Sequence, residues 1–473
     1  MKRLSLLLLP ILFGCTVGPD YQAPALPAAN VWAGPTGKET GPTDTTSWWA
    51  RFNDPLLDRL IEQAARANAD VAQAAAKLRQ ARASLVQETA GFYPSATASA
   101  SAKRSRQSLA AYGGAGSITG NYFDPGFDAS YELDLFGGQR RSVESAAASL
   151  EASSADLGDS LLSMLGETAR YYIQVRGYQA RIGIAEATLA SRKETWQLTR
   201  AKAEGGTGTG LDALQAKAEM ESAAAGIPPL EDDLQEAIDR LATLTGGSTA
   251  DLRDLLRVPQ PVPQLVGAIE PDPPVVALAR RPDIRAAERR IASATADIGV
   301  AQADRFPSVT LVGSIGLNSS RIRTLATGSS LVWSWGPEVS LPIFDAGKRA
   351  AKVDEKTALR DEKIAAWQAT VRSAVEETEN ALVALDREKA HNIGITRTVE
   401  AYGDALKVAQ AQYQAGLTTF LTVLEADRSL ASERDSLAQS DANLAIDAIA
   451  LYKALGGGWQ QLQTGADGVA TDK

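Results

Sequence analysis

The chain has 473 residues, with 48 Lys or Arg against 57 Asp or Glu and a formal charge of −9. That length allows a large core or about three domains, and the acidic balance argues against nucleic acid as a partner, because phosphate binding needs basic surface. A single Cys excludes a disulfide framework and every Cys-based zinc pattern, and a single His, His391, excludes multi-histidine metal sites and disfavours a hydrolytic triad.

At the start, Lys2 and Arg3 precede an apolar run from Leu4 to Phe13 broken only by Ser5 and Pro10, then Gly14 and Cys15. A positive n-region, a short apolar stretch and a small residue at the cut describe a secretory leader, residues 1–14, too short to span a bilayer. The chain's only Cys falls at that cut, in Leu12-Phe13-Gly14-Cys15. This resembles the bacterial lipoprotein box, which implies an acylated Cys15 as the mature N-terminus. Two or three acyl chains anchor stably where one does not. Thr16 follows the cysteine, and by analogy with Gram-negative lipoproteins that favours sorting to the outer membrane. The arm over residues 15–54 is rich in Gly, Pro and Thr and reads as extended.

Only 6% of residues are aromatic although 44% are hydrophobic, a composition that favours long, closely packed helices. Leu57, Ala64, Val71, Leu78 and Leu85 recur every seven residues, giving a helix over about 55–90. Residues 138–204 and 346–415 read as helices of roughly 100 Å at 1.5 Å per residue. A shorter helix over 211–245 is expected to kink at Pro228-Pro229. In the last helix Leu430, Leu437, Leu444 and Leu451 mark a seam. Stacked end to end, the shorter helices match one long one, so each half supplies two full-length columns.

Between these helices the period changes from seven to two. Ser95 to Ala102 alternates Ser or Thr with Ala; Phe127, Ala129, Tyr131, Leu133 and Leu135 alternate with polar residues. The later counterparts are Val309 to Leu317 and Trp333 to Ile343. Each run is about ten residues, the length of a tilted transmembrane strand with one apolar and one polar face. Polar loops, Ser105 to Tyr122 and Asn318 to Ser330, separate the partners, and Trp333 and Trp335 suit a headgroup boundary. Four strands leave two open edges, and a membrane barrel must close with about eight strands or more. A dimer gives eight strands, too few for an aqueous lumen, so a conducting barrel needs at least three chains.

The order of landmarks repeats. Phe92-Tyr93-Pro94-Ser95 returns as Phe306-Pro307-Ser308, and Leu135-Phe136-Gly137-Gly138 as Ile343-Phe344-Asp345-Ala346-Gly347. Gly206, Leu211 and Leu214 return as Gly416, Leu421 and Leu424. The chain is therefore a tandem duplication: leader 1–14, lipidated arm 15–54, first unit 55–257, Pro-rich linker 258–274, second unit 275–455, and a Gly-rich, frayed tail 456–473.

Arg280-Arg281-Pro282-Asp283-Ile284-Arg285-Ala286-Ala287-Glu288, with Ile227-Pro228-Pro229-Leu230-Glu231, Tyr413-Gln414-Ala415-Gly416 and Val423-Leu424-Glu425-Ala426, is similar to the outer membrane factor family, the TolC-like and OprM-like exit ducts, in its lipoprotein branch. The resemblance covers nearly the whole mature chain. It implies a mainly α fold with a transmembrane β portion: a homotrimer with a twelve-stranded β-barrel over a twelve-helix periplasmic α-barrel. It also implies docking on a periplasmic adaptor and an inner-membrane pump of the RND type, with no cofactor beyond the lipid on Cys15. The family's gate lies at the hairpin tips marked by Gly206 and Gly416. Carried over, Leu421 is a constricting apolar residue, Glu425 an acidic residue lining the closed tip, and Tyr413 a tether between neighbouring helices. Asp212 aligns with Thr422, which replaces one acid of the double ring found in some members. Gly205, Gly206, Gly208 and Gly210 make the first tip unusually flexible. A ring of Glu425 carboxylates favours cations.

The reading is therefore an outer membrane exit channel for efflux of small molecules. A type I protein secretion duct and a non-conducting structural envelope lipoprotein are the alternatives. Catalysis is not expected. Gly206-Thr207-Gly208-Thr209-Gly210 superficially suggests phosphate binding, but it follows a helix, lacks the dinucleotide fingerprint and has no Walker lysine.

Overall fold

The computed structural model describes residues 16–26, 32–33, 45–112 and 115–463. The expected leader 1–14 and Cys15 lie outside the described residues. Helices α1 (Pro55–Ala67) and α2 (Ala69–Ala90) lead into strands β1 (Ser95–Ser108) and β2 (Ser117–Leu133), then α3 (Gly138–Glu204), α4 (Gly210–Ala225) and α5 (Ile227–Thr245). Two short helices, α6 (Thr249–Leu256) and α7 (Pro274–Arg280), flank the Pro-rich linker. The order then recurs as α8 (Pro282–Ala303), β3 (Ser308–Leu317), β4 (Leu331–Ser340), α9 (Lys348–Gln414) and α10 (Phe420–Ala454). Helices α3 and α9 each have 67 residues, about 100 Å of rise.

Local chemistry sets the breaks. Asn68 ends α1 and starts α2: its side-chain oxygen accepts from the backbone N–H of Asp70 and Val71, and its amide donates to the Leu244 carbonyl at 3.1 Å. Leu57, Ala64, Val71 and Leu78 are all buried despite that break, which the seven-residue stripe does not betray. The second break falls at Gly226, and Pro228 sits in the first turn of α5, where a missing N–H costs nothing.

The strands form one antiparallel sheet in the order β1-β2-β3-β4. The β2–β3 pairing, from Gly126↔Gly316 to Leu133↔Val309, joins the two halves of the sequence. The expected loop Ser105–Tyr122 is shorter than its polarity implies. Pairs Lys103↔Tyr122 to Ser108↔Ser117 continue the ladder, on a stretch with both faces exposed, so no apolar alternation marks it.

Cα proximity divides the chain into two compact units that cut across the sequence halves. One gathers the segment 1–24 with Leu78–Ser153 and Ala287–Trp367; the other gathers Ala25–Lys77, Ser154–Ala286 and Gln368–Lys473. The core of the second unit corrects three expectations. The N-terminal arm is not simply extended: Trp32, Trp48, Trp49 and Phe52 are buried in this core, the last three on a 3-10 turn. Trp48 stacks on Tyr452 with centroids 5.2 Å apart and planes within 8°. The tail is not frayed where it begins, since Gly456 to Trp459 are buried. On α10 Leu430 and Leu451 of the expected stripe are buried, but Leu437 and Leu444 are only half-buried, and between them the seam is made by Ala438, Ala442, Ala445, Ala448 and Ile449. Small side chains allow the closer helix approach, so the middle of the seam is alanine rather than leucine.

Candidate gate at the helical hairpin turns

Helices α3 and α4 meet through Gly205–Thr209, and α9 and α10 through Ala415–Thr419. The two turns use the same hydrogen bonds. Gly206 N–H donates to the Ala203 carbonyl and Thr207 N–H to Lys202; Gly416 N–H donates to Tyr413 and Leu417 N–H to Gln412. Gly206 and Gly416 take φ of +71° and +74°, the left-handed cap at which a Cβ is strained. Gly205, Gly208 and Gly210 are not in that region, so only one glycine of the first turn is required by its geometry. Thr209 caps α4 by accepting the Asp212 N–H at 3.1 Å.

Of the four residues expected at the gate, Tyr413 is packed into the hairpin end and feels the charge of Asp212. Tyr413 packs on Phe420 with ring centroids 5.6 Å apart, and the Lys202 ammonium lies 4.9 Å from the Tyr413 ring centroid. Partial burial pushes the Tyr413 phenol pKa up, and the negative charge of Asp212 on α4 adds to it. Tyr413 therefore stays a neutral donor. Leu421 and Glu425 are exposed, Leu421 at 47%. Four residues apart on α10, they share one open face.

Sequence reasoning missed what ties the hairpins. Buried Ala216, Phe420 and Leu424 form a small core with Trp196 and Tyr413 against it. Beside it, Arg192 of α3 pairs with Glu219 of α4 at 3.1 Å and with Asp427 of α10 at 3.0 Å. Glu219 also receives a hydrogen bond from Arg428 of α10. That bond holds the Glu219 carboxyl below the usual carboxylate range against the opposing effect of burial. Further along, Arg181 of α3 grips Asp435 of α10 with two bonds of 2.8 and 3.0 Å. The signal was present as opposite charges spread over three separate helices, but only tertiary proximity pairs them. Glu425 reinforces this network, because its charge adds to that of Glu219 in holding the Arg428 proton.

Chemically, the arrangement is a hydrogen-bonded and ion-paired clasp beside an open apolar and acidic face. Among the described residues, no group of three or more His, Cys, Asp or Glu is placed to hold a metal ion. The lipidation position, Cys15, lies outside the described residues.

Comparison with known proteins gives one answer. The family model described as outer membrane efflux protein matches twice, over residues 60–247 and 274–457. Nodulation protein T of Rhizobium leguminosarum bv. trifolii is 33% identical, the match covering 95% of this chain and 96% of that protein. Outer membrane protein OprJ of Pseudomonas aeruginosa is 31% identical, over 97% of this chain and 96% of that protein. The solved structure of the outer-membrane channel OprN superposes with a TM-score of 0.89 at 37% identity, covering 94% of this chain and 100% of that one.

Proposed function

We propose a passive exit duct, assembled from three copies, for a chain that belongs to the outer membrane efflux protein family. The protein is an efflux component of the Gram-negative outer membrane. The observation that carries the trimer is the sheet. Its four strands end in β1 and β4, neither of which has an outer neighbour among the described residues, and unpaired backbone groups are not tolerated in hydrocarbon. Three copies supply twelve strands for a closed barrel with an aqueous lumen. Each copy also brings α3, α9 and the two stacked sets of shorter helices, which gives twelve columns for a periplasmic α-barrel. Exposed Trp333 and Trp335 on β4 suit the aromatic girdle of such a barrel. Acylation of Cys15 gives a second hold on the membrane.

In this reading the hairpin turns form the periplasmic mouth, docked on an adaptor and an inner-membrane pump of the RND type. Leu421 narrows the mouth, Glu425 of three copies makes it negative, and Tyr413, Asp212 and the Arg192–Glu219–Arg428 clasp hold it shut. The duct does no chemical work; the pump sets the cargo, and the mouth has only to open and close. Planar-bilayer recordings test the assignment. Wild-type channels should prefer cations, and Glu425→Ala should weaken that preference; unchanged selectivity overturns the placing of Glu425 at the mouth.

A further inference from the structure

The pairing register assigns each strand residue to one face of the sheet. The row Ala98↔Phe127↔Ile315↔Trp333 crosses all four strands, and every second row shares its apolar face. The acids of the strands, Asp124, Asp128, Glu132 and Glu338, all lie on the alternate rows and so on the opposite face. Only β1 and β2 continue past the level of Phe123 as a ladder, and there the apolar face changes character. Arg104 pairs with Asn121 and Arg106 with Thr119, and all four are exposed. These two arginines are the only charged side chains on that face of the described strands. Arg106 Nε donates to Ser117 Oγ on the same face at 2.7 Å, which holds the guanidinium there, and its terminal nitrogens have no partner among the described residues. Lys103 pairs with Tyr122 on the opposite face.

Helices α2 and α3 join the sheet near Ser95 and Leu133, so the arginines stand at its far end. From Leu133 to Phe123 the strand covers roughly 34 Å. At a tilt of about 40° that is about 25 Å of height, the thickness of the apolar band of an outer membrane barrel. Arg104 lies two residues beyond Ala102, the partner of Phe123, and thus about 5 Å above that band, at the depth of lipid headgroups. The neighbouring sequence is basic too. Lys103 to Phe123 and Leu317 to Leu331 hold five Lys or Arg and no acid, in a chain of formal charge −9. Two of the five, Arg321 and Arg323, are exposed on the β3–β4 loop, which is tied to β2 by backbone bonds of 2.9 and 3.0 Å between Phe123 and Ser319.

We propose that Arg104 and Arg106, with Asn121 and Thr119 beside them, bind the phosphate of a phosphorylated glycolipid in the outer leaflet. The inference rests on the reading of this sheet as part of a membrane barrel whose apolar face meets lipid. The planar guanidinium fork matches a phosphate with two parallel bonds, and the amide and hydroxyl alongside reach its remaining oxygens. An acidic chain is otherwise repelled by an anionic membrane surface; this rim reverses the sign where the two meet. Because both arginines sit on one hairpin, the contact fixes the height of the barrel and recurs once per copy.

The test uses full-length protein in detergent, titrated with diphosphoryl lipid A and read by native mass spectrometry. A double variant, Arg104→Gln with Arg106→Gln, should bind about tenfold more weakly or worse. Lys103→Gln removes a cation from the opposite face of the same strand and should leave binding unchanged. Lipid A stripped of its phosphates should bind the wild type no better than the double variant binds the intact lipid, and inorganic phosphate should not displace the lipid. Undiminished binding by the double variant, or an equal loss in Lys103→Gln, overturns the site. Displacement by inorganic phosphate overturns the lipid as its occupant. The same preparations are reconstituted into phosphatidylcholine vesicles: wild-type protein that does not insert overturns the site together with the barrel reading, whereas protein that inserts and binds without the two arginines overturns the site alone.

Discussion

Within the second compact unit, the core around Trp48 and the hairpin end around Phe420 are held by different physics. The core closes over stacked and edge-on aromatics, with Trp48 against Tyr452, Trp49 and Phe52, and with fully buried Leu57, Ile61, Leu165 and Leu241 around them. Such burial is worth roughly 25 cal/mol per Å² and cannot be undone in part. At the hairpin end only Ala216, Phe420 and Leu424 are buried together. The remaining ties are ion pairs: Arg192–Glu219 is mostly buried, while the Arg428 pair, with Arg428 53% exposed, is open to water and worth about 1 kcal/mol or less. One region resists separation throughout; the other is held by few ties that cost little to break.

Four substitutions probe that contrast, in falling order of expected effect. Trp48→Ala should cost about 3–5 kcal/mol of stability, read by chemical unfolding, and leave the ion selectivity of surviving channels unchanged; a loss under 1 kcal/mol would break the contrast at the core. Glu219→Gln leaves Arg192 and Arg428 without their shared carboxylate and should cost roughly 1–3 kcal/mol. Its signature is conduction, with more and longer openings in bilayer recordings, and a silent variant would mean that the clasp holds nothing shut. Asp447 on α10 sharpens the comparison through pH. Burial, helped by the Glu388 charge, pushes its carboxyl up to about 6. The folded chain thus keeps a proton that the unfolded chain releases, so this contribution is full below the ordinary carboxylate range and is lost as pH rises through about 6. Melting should fall between pH 5 and pH 7.5 by an amount near 1 kcal/mol after allowance for solvent screening, and Asp447→Asn should flatten that slope. Leu421→Ser should change stability by no more than ~0.5 kcal/mol, as an exposed position does, while altering conductance; a large stability loss would make Leu421 a packing residue.

Much of this was legible in the sequence because it depends on local periodicity. The helix over 138–204 coincides with α3, four strands occur in the order and places alternation marked, although β2 stops before Leu135 and β4 at Ser340, short of Ile343, and Gly206 and Gly416 cap equivalent turns because a left-handed cap recruits glycine. Features fixed by distant partners were not legible. Nothing near Glu219 announces Arg192 or Arg428, and nothing in Gly456-Gly457-Gly458-Trp459 reveals that it is buried. The strand extension through Ser105 and Ser117 was hidden for a further reason: a ladder exposed on both sides is held by backbone bonds, which leave no imprint on side-chain choice. Asp212 was aligned only with Thr422, and the influence of its charge on Tyr413, across the hairpin, was not legible in the sequence.

The outer strands have a consequence for the life of a newly made copy. Among the described residues β1 and β4 have no outer partner strand, and an open strand edge is the usual route to aggregation. Their composition blunts that hazard. β1 opens on Ser or Thr alternating with Ala and carries Lys103, Arg104 and Arg106 in its second half, while β4 carries Pro337 and Glu338. Proline and charge on a rim discourage indiscriminate docking, so both edges are guarded against pairing with unrelated chains.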